Sequence, residues 1–237
     1  MIILTGDSWG VGEFDKNFLI GGPGIASYIT LCEPSVNLSR GAGSNTLALD
    51  RLENFLTSYT PTNEDIFLWI VTGPNRCITD LTSFLNTSDS LIKSLEQLLS
   101  ESLSRANSIS KKYNIKLKLI GGLCDLNTFS DSNYSNLEIT VPSWGSLLIE
   151  NYNYSIIEQD FIRNIGPIVK DKYPRLLEEW IELSEVAIRK DTDWNKMSTT
   201  YFKTDGAHPD RSGHLILLKT LFPDLAIYFN DYFRDYT

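Results

Sequence analysis

Short continuous runs of apolar residues alternate along this chain with longer stretches in which apolar residues recur at helical spacing. Residues 2–5 (IILT) and 66–72 (IFLWIVT) are continuous apolar runs, each followed by a glycine. Such runs are typical of strands that are buried on both faces. Residues 115–121 (IKLKLIG) alternate between apolar and polar positions and predict a further strand.

Four segments between and after these strands have the apolar spacing of helices. Residues 44–58 and 173–188 predict helices of ordinary length, and the segment between Pro209 and Pro223, with its apolar run LILLKTLF, predicts a C-terminal helix. The longest pattern covers residues 88–113, where leucines line one side and charged residues line the other. Strands that alternate with helices predict a parallel sheet covered on both faces.

The sequence therefore predicts one α/β domain over residues 1–237, with three layers. The segment 126–157 differs from the rest because it is rich in Asn, Ser and Tyr and has no clear periodicity. It follows a predicted strand, and segments that leave the carboxyl ends of parallel strands surround the ligand crevice. We predict an insertion near the active site, with an ordinary surface insertion as the alternative.

Charge and composition exclude several classes of protein. The 237 residues carry a formal net charge of −9, from 30 acidic and 21 basic residues, and no basic patch is evident, so we expect no nucleic-acid partner. No apolar run approaches the roughly 20 residues that cross a bilayer, and the N-terminus lacks a secretory signal. We expect a cytoplasmic protein without a membrane partner, whose three cysteines are reduced.

Ser8 is the first candidate for chemistry. It lies in the segment 6–10 (GDSWG), directly after the first predicted strand. A serine in a glycine-flanked turn at a strand end has an exposed hydroxyl, and the N–H groups of a following helix point toward whatever that hydroxyl attacks. Serine needs a positioned base to act as a nucleophile. A turn or N-cap role is the alternative for Ser8.

Two histidines, His208 and His214, are the candidates for that base. His208 follows Asp205 by three residues in a glycine-containing loop, so the carboxylate can accept the imidazole Nδ1–H and leave Nε2 free to take a serine proton. His214 falls within the last predicted helix, where packing or a surface position is expected. His208 is therefore the better base, although a capped loop histidine is the alternative.

Two loops could bind a developing negative charge. The amide of Asn75, in Thr-Gly-Pro-Asn after the strand 66–72, could donate to an oxyanion, although this sequence also suits a plain turn. Residues 40–45 (RGAGSN) could supply a backbone N–H before a helix that Ser44 or Asn45 would cap. The chain has no phosphate loop, dinucleotide fingerprint or metal-binding motif, so we expect neither cofactor nor metal.

Taken in order, these motifs resemble those of the SGNH, or GDSL-type, hydrolase superfamily. The matching blocks are Gly-Asp-Ser at 6–8, a glycine block, Gly-Pro-Asn at 73–75, and Asp-Gly-Ala-His at 205–208. They extend from residue 6 to residue 208, although the matching residues are few, and Trp9 stands where the family's motif name has Leu. The resemblance implies a flavodoxin-like α/β/α sandwich around a parallel sheet of about five strands.

The resemblance also implies a role for each matching residue. Ser8 would be the nucleophile, His208 the general base and then general acid, and Asp205 the residue that orients His208. The oxyanion would be bound by the Ser8 N–H, the Asn75 side chain and a backbone N–H of the glycine block. We assign that N–H to Gly43, and Gly41 is the alternative.

Relatives in this superfamily cleave acetyl groups from carbohydrates, acyl chains from lipids, and thioesters. Aromatic residues within 126–157, among many Asn and Ser, suit the stacking and hydrogen bonding of a sugar ring, although they could equally form core. We predict that Trp9, Trp144 and Tyr152 contact the substrate, an O-acetyl ester of a carbohydrate hydrolysed through an acyl-serine. The alternatives are an O-acyltransferase that uses the same serine, and a catalytically silent carbohydrate-binding or assembly protein.

Overall fold

The computed structural model describes residues 1–11, 24–73, 88–122, 124, 126–127, 134–150, 209 and 211–226. The strands in these residues are β1 (Ile2–Thr5), β2 (Ser35–Asn37), β3 (Ile66–Val71), β4 (Leu117–Gly121) and β5 (Leu137–Val141). The helices are α1 (Ser8–Val11), α2 (Ile25–Cys32), α3 (Asn45–Ser58), α4 (Ser88–Tyr113), α5 (Trp144–Glu150), α6 (Arg211–Leu221) and α7 (Pro223–Ala226).

All five strands are parallel, in the order β2-β1-β3-β4-β5. In the register of the central strands, Ile3 of β1 lies between Val36 of β2 and Phe67 of β3. The chain therefore moves outward from β1 in one direction to β2 and then in the other direction from β3 onward. This is the flavodoxin-like strand order, and it confirms the predicted fold class.

One face of the sheet forms a continuous core with α3 and α4. Alternate residues of the strands join this core, and in the central strands β1 and β3 the residues between them are also buried, so both faces of these strands are covered as a three-layer α/β fold requires. The core on the α3 and α4 face contains Ile3, Phe67, Trp69, Val71, Leu117 and Leu119 from the strands and Leu49, Leu52, Leu56, Leu99, Leu103 and Ile109 from the helices.

The contacts of the chain divide it into two compact units, residues 1–10 with 35–144 and residues 11–34 with 145–237. The first unit holds the whole sheet together with α3 and α4. In the second unit α2 packs against α6, which also packs against α7. The single domain over residues 1–237 stays a prediction.

His214 belongs to the second unit and is fully buried on α6. Its Nδ1 accepts a hydrogen bond of 3.3 Å from the backbone N–H of Ile25, the first residue of α2. Because the first N–H groups of a helix have no partner within the helix, this imidazole satisfies one of them. The packing role expected for His214 is confirmed.

Two strands differ from the sequence expectations. Residues 137–141, within the segment predicted as an insertion, form the edge strand β5, and residues 144–150 form α5. β2 has only three residues, all half-buried. Short or edge strands need few apolar side chains, so the apolar pattern does not reveal them. The helix predicted at 173–188 lies outside the described residues.

Candidate active site

Ser8 is the first residue of α1, and only Gly6 and Asp7 separate it from the end of β1. Asp7 closes the backbone around it: its Oδ1 accepts a hydrogen bond of 3.0 Å from the Trp9 N–H, and its carbonyl accepts one of 3.1 Å from the Gly10 N–H. Asp7 and Ser8 are buried, with 1% and 2% of their surface exposed. The predicted strand–turn–helix context of Ser8 is therefore present, but the expectation of an exposed serine is wrong, because the residue is buried within this tightly packed turn.

Thr72 connects this turn, which we call the nucleophile turn (residues 6–10), to the end of β3. Thr72 is the residue after β3, and its hydroxyl donates a hydrogen bond of 2.6 Å to Oδ2 of Asp7. Both side chains are buried. The Asp7 carboxylate thus has a donor on each oxygen, as a buried carboxylate requires.

Asn45 fixes the same strand end from the start of α3. Its Oδ1 accepts a hydrogen bond of 2.9 Å from the Thr72 N–H, and its Nδ2 donates one of 2.9 Å to the Thr72 carbonyl. Ser44 caps α3, because its Oγ accepts from the Leu47 N–H at 3.3 Å. Of the two residues predicted as the cap, Ser44 is the N-cap of α3, and Asn45 instead binds the backbone at the end of β3.

The glycine block forms a tight turn beside the nucleophile turn. The Gly43 N–H donates to the Arg40 carbonyl at 3.3 Å. Ala42 has a φ of 54°, a left-handed backbone conformation that residues other than glycine seldom adopt. Gly43 is buried and Gly41 is exposed. A Cβ placed on Gly43 would lie 3.5 Å from the carbonyl oxygen of Gly6. Gly43 therefore lies against the nucleophile turn.

Arg51 reaches from α3 to hold the strand ends together. Its Nη2 donates to the Gly6 carbonyl at 2.9 Å, and its Nε donates to the Leu38 carbonyl at 2.6 Å. The Gly6 carbonyl also accepts from the backbone N–H of Arg40 at 3.3 Å. Burial, followed by the nearby Arg40 charge, lowers the pKa of the Arg51 guanidinium.

Gly10 allows the nucleophile turn to lie directly on the segment that follows β2. A Cβ on Gly10 would collide with Oγ of Ser39 and lie 3.0 Å from its Cβ. The same two segments are joined by a hydrogen bond of 2.9 Å from Asn37 Nδ2 to the Gly10 carbonyl. The side chain of Ser39 is buried, and its Oγ has no hydrogen-bond partner in the part of the chain that the structure describes.

Trp9 and Trp144, predicted to contact substrate, pack against each other. Their rings meet edge to face, with centroids 5.3 Å apart and an interplanar angle of 82°. Only 4% of Trp9 and none of Trp144 is exposed. A sugar stacks on an exposed ring face, so the observed role of both tryptophans is packing, the alternative that the sequence left open.

The other predicted site residues, Asn75, Tyr152, Asp205 and His208, lie outside the described residues. Of the predicted set, the structure describes Ser8, Trp9, Gly43 and Trp144, and it places Gly43 beside Gly6 of the nucleophile turn. It adds four residues that the sequence analysis did not select, Asp7, Asn45, Arg51 and Thr72. Of these, Asp7 and Thr72 carry a usable signal, because each is a polar residue at the end of an apolar strand run.

Neither a known protein-family model nor a curated protein matches this chain. Among the residues described, no cluster of His, Cys, Asp and Glu is large enough to hold a metal ion. In the same residues, every helix is too short or too polar to cross a membrane. The resemblance to SGNH hydrolases rests on the motifs alone and stays a prediction.

Proposed function

We propose that this protein is a serine ester hydrolase of the SGNH type, which removes a small acyl group through an acyl-Ser8 intermediate. The observation that carries the proposal is the position of Ser8. It follows β1 at the point where the strand order reverses between β1 and β3. In open α/β sheets, ligands bind at the carboxyl ends of the strands at this point.

The environment of Ser8 supports a small acyl group. Its exposed fraction is 2%, and the turn that holds it is fixed by Asp7 and packed closely against Ser39. We propose acetyl rather than a long acyl chain, because close packing around this turn leaves little room beside Ser8. The alcohol that we propose is a carbohydrate; with Trp9 and Trp144 packed in the core, this proposal rests on Tyr152 and on the Asn- and Ser-rich composition of the segment 126–157.

The proposed reaction has two steps. His208 removes the Ser8 proton as Oγ attacks the ester carbonyl, and the protonated imidazole then gives that proton to the leaving alcohol. In the second step His208 activates water, which attacks the acyl-serine and releases the carboxylic acid and free Ser8. Asp205 orients His208 in both steps.

The oxyanion of each tetrahedral intermediate would be bound by the Ser8 N–H, by the Asn75 amide, and by the Gly43 N–H once this group exchanges its hydrogen bond to the Arg40 carbonyl for the oxyanion. Gly43 lies beside the nucleophile turn, as this assignment requires. Asn75 follows Thr72 by three residues, and Thr72 is bonded to the nucleophile turn. Donors that are fixed before the reaction begins contribute most to the stabilisation of developing charge.

Hydrolysis of p-nitrophenyl acetate, butyrate and octanoate by the wild type and by Ser8→Ala tests the proposal. Ser110→Ala is a matched control, because the Ser110 hydroxyl is buried on α4 without a hydrogen-bond partner in the described residues. We expect a preference for acetate, a loss of at least about 1,000-fold in Ser8→Ala, and wild-type rates in the control. The wild-type kcat/KM should rise with pH as an imidazole deprotonates, near about pH 6–7. Equal rates in the wild type and Ser8→Ala would refute the proposal.

A further inference from the structure

We infer that Thr72 is a positioning residue for the reaction at Ser8, an inference that rests on the proposed function. In this account Thr72 touches neither the substrate nor the reacting atoms. It acts through Asp7, to which its hydroxyl donates, and through Asn45, which holds its backbone.

The bond to Asp7 fixes the nucleophile turn. Oδ1 of Asp7 holds the Trp9 N–H while Oδ2 accepts the Thr72 hydroxyl. A carboxylate held on both oxygens cannot rotate without breaking a hydrogen bond. The peptide groups on either side of Ser8 are therefore fixed relative to the end of β3.

The bonds to Asn45 fix the start of α3 to the same point. The Asn45 side chain makes two hydrogen bonds of 2.9 Å with the backbone of Thr72, so the position of one residue determines that of the other. Asn45 follows Gly43 by two residues and the N-cap Ser44 by one. The glycine block is thus tied to β3 through this pair.

The three proposed oxyanion donors come from three separate segments of the chain. Ser8 is the neighbour of Asp7, Gly43 precedes Asn45 by two residues, and Asn75 follows Thr72 by three. Thr72 forms hydrogen bonds with Asp7 in the first segment and Asn45 in the second, and it belongs to the third segment itself. Loss of its hydroxyl should therefore disturb the relative positions of the donors.

Valine has the shape of threonine without the hydroxyl, so Thr72→Val removes the bond to Asp7 and leaves both bonds to Asn45 in place. A misplacement of about 1 Å in an active site can cost about 100-fold in rate. We expect kcat to fall by about 10- to 100-fold in Thr72→Val. KM should change by less than about threefold, because substrate binding does not use this hydroxyl.

Steady-state hydrolysis of p-nitrophenyl acetate by the full-length chain tests this expectation, with circular dichroism to verify that each variant is folded. Thr72→Ser restores the hydroxyl and should recover most of the lost kcat. Thr140→Val makes the same chemical change in β5, where the Thr140 hydroxyl is buried without a hydrogen-bond partner in the described part of the chain. This control should keep the wild-type kcat.

Asp7→Asn tests the same hydrogen bond from its other end and serves if Thr72→Val does not fold. It keeps Oδ1 for the Trp9 N–H and replaces the charged acceptor of the Thr72 hydroxyl by an amide NH₂, which can only donate to that hydroxyl and so loses the charge-assisted hydrogen bond. If both variants lower kcat through this one hydrogen bond, the double variant should lose no more kcat than the more impaired single variant.

Ser8-dependent hydrolysis with wild-type kcat in Thr72→Val would overturn this inference and leave the proposed function intact. The same holds if Thr72→Ser is no more active than Thr72→Val, since the hydroxyl would then be irrelevant. Hydrolysis that survives in Ser8→Ala would instead overturn the proposed function, and with it any catalytic role of Thr72.

Discussion

The hydroxyl of Thr72 and the carboxylate of Asp7 form a hydrogen bond of 2.6 Å that joins the end of β3 to the end of β1. These are adjacent parallel strands, paired from Ile2 and Ile66 onward, and they lie on either side of the point where the strand order reverses. The strands are stabilised by apolar packing on the core. The polar residues that follow their carboxyl ends are fixed by this hydrogen bond and by the hydrogen bonds of the Asn45 and Arg51 side chains.

Removal of the Asp7 carboxylate should destabilise the fold strongly. Asp7→Ala leaves the Trp9 N–H and the Thr72 hydroxyl without an acceptor in a buried site. Each of these two buried donors costs about 1–3 kcal/mol when its acceptor is removed, so we expect a loss of about 2–6 kcal/mol in the free energy of unfolding. Urea denaturation measures this loss, and a change below about 0.5 kcal/mol would show that Asp7 is not a structural link.

Gly10→Ala should destabilise the protein mainly through the collision of the new methyl group with the Ser39 side chain, with a lesser contact of 3.3 Å to Ile70 Cδ1. Overpacking of this kind costs about 1–3 kcal/mol. In a Ser39→Gly background the colliding atoms are absent, so the same substitution should cost much less. The free energies of unfolding of the two single variants and the double variant give the coupling. Additive losses would contradict the contact.

The carboxyl of Asp65 should make stability depend on pH under acidic conditions. Burial raises the pKa of this carboxyl, but hydrogen bonds from the Thr62 N–H, the Tyr59 hydroxyl and the N-terminal amino group outweigh it and lower the pKa to about 2. A carboxyl whose pKa is lower in the folded state than in the unfolded state stabilises the fold at pH values above the unfolded-state pKa. This contribution is lost as the pH falls through the folded-state pKa.

We therefore expect Asp65→Asn to reduce the loss of stability that accompanies acidification from about pH 4 toward about pH 2. Urea midpoints at a series of pH values in this window measure the effect. Glu64→Gln, at the exposed neighbouring position, should leave the wild-type pH dependence unchanged. Identical pH profiles for the wild type and Asp65→Asn would show that the hydrogen bonds to Asp65 do not contribute.

In the second unit, His214 should stabilise the start of α2. Since its Nδ1 accepts the Ile25 N–H, the imidazole is neutral, with its proton on Nε2. His214→Leu replaces the imidazole by an apolar side chain of similar size, which cannot accept a hydrogen bond. We therefore expect a loss of about 1–3 kcal/mol in the free energy of unfolding and faster hydrogen exchange of the Ile25 amide. An unchanged exchange rate at Ile25 would contradict the capping role.

The main elements of the fold could be predicted from the sequence because they are long or fully buried. The continuous run at 66–72 corresponds to β3 (Ile66–Val71), and the helical pattern at 88–113 corresponds to α4 (Ser88–Tyr113). β2 and β5 could not be predicted, since three half-buried residues and a half-buried edge strand have no distinct apolar pattern.

The site was predictable only in part, for a physical reason. Ser8 stands out because glycines flank it after a strand. The partnership of Asp7, Thr72 and Asn45 depends on which strands are adjacent, and a single sequence does not reveal sheet order. The burial of Trp9 against Trp144 is likewise a tertiary contact, so composition alone suggested a sugar-binding surface where the rings form core.

The central claim is that Ser8 is an activated nucleophile, and covalent labelling by a fluorophosphonate tests it most directly. This reagent phosphonylates a serine hydroxyl that has a working base and oxyanion donors, and it requires no knowledge of the natural substrate. We predict that mass spectrometry of the intact protein will show one phosphonyl adduct per chain. Peptide mapping should locate this adduct on Ser8, and Ser8→Ala should carry none. An unlabelled wild-type protein, or an adduct that persists in Ser8→Ala, would contradict it.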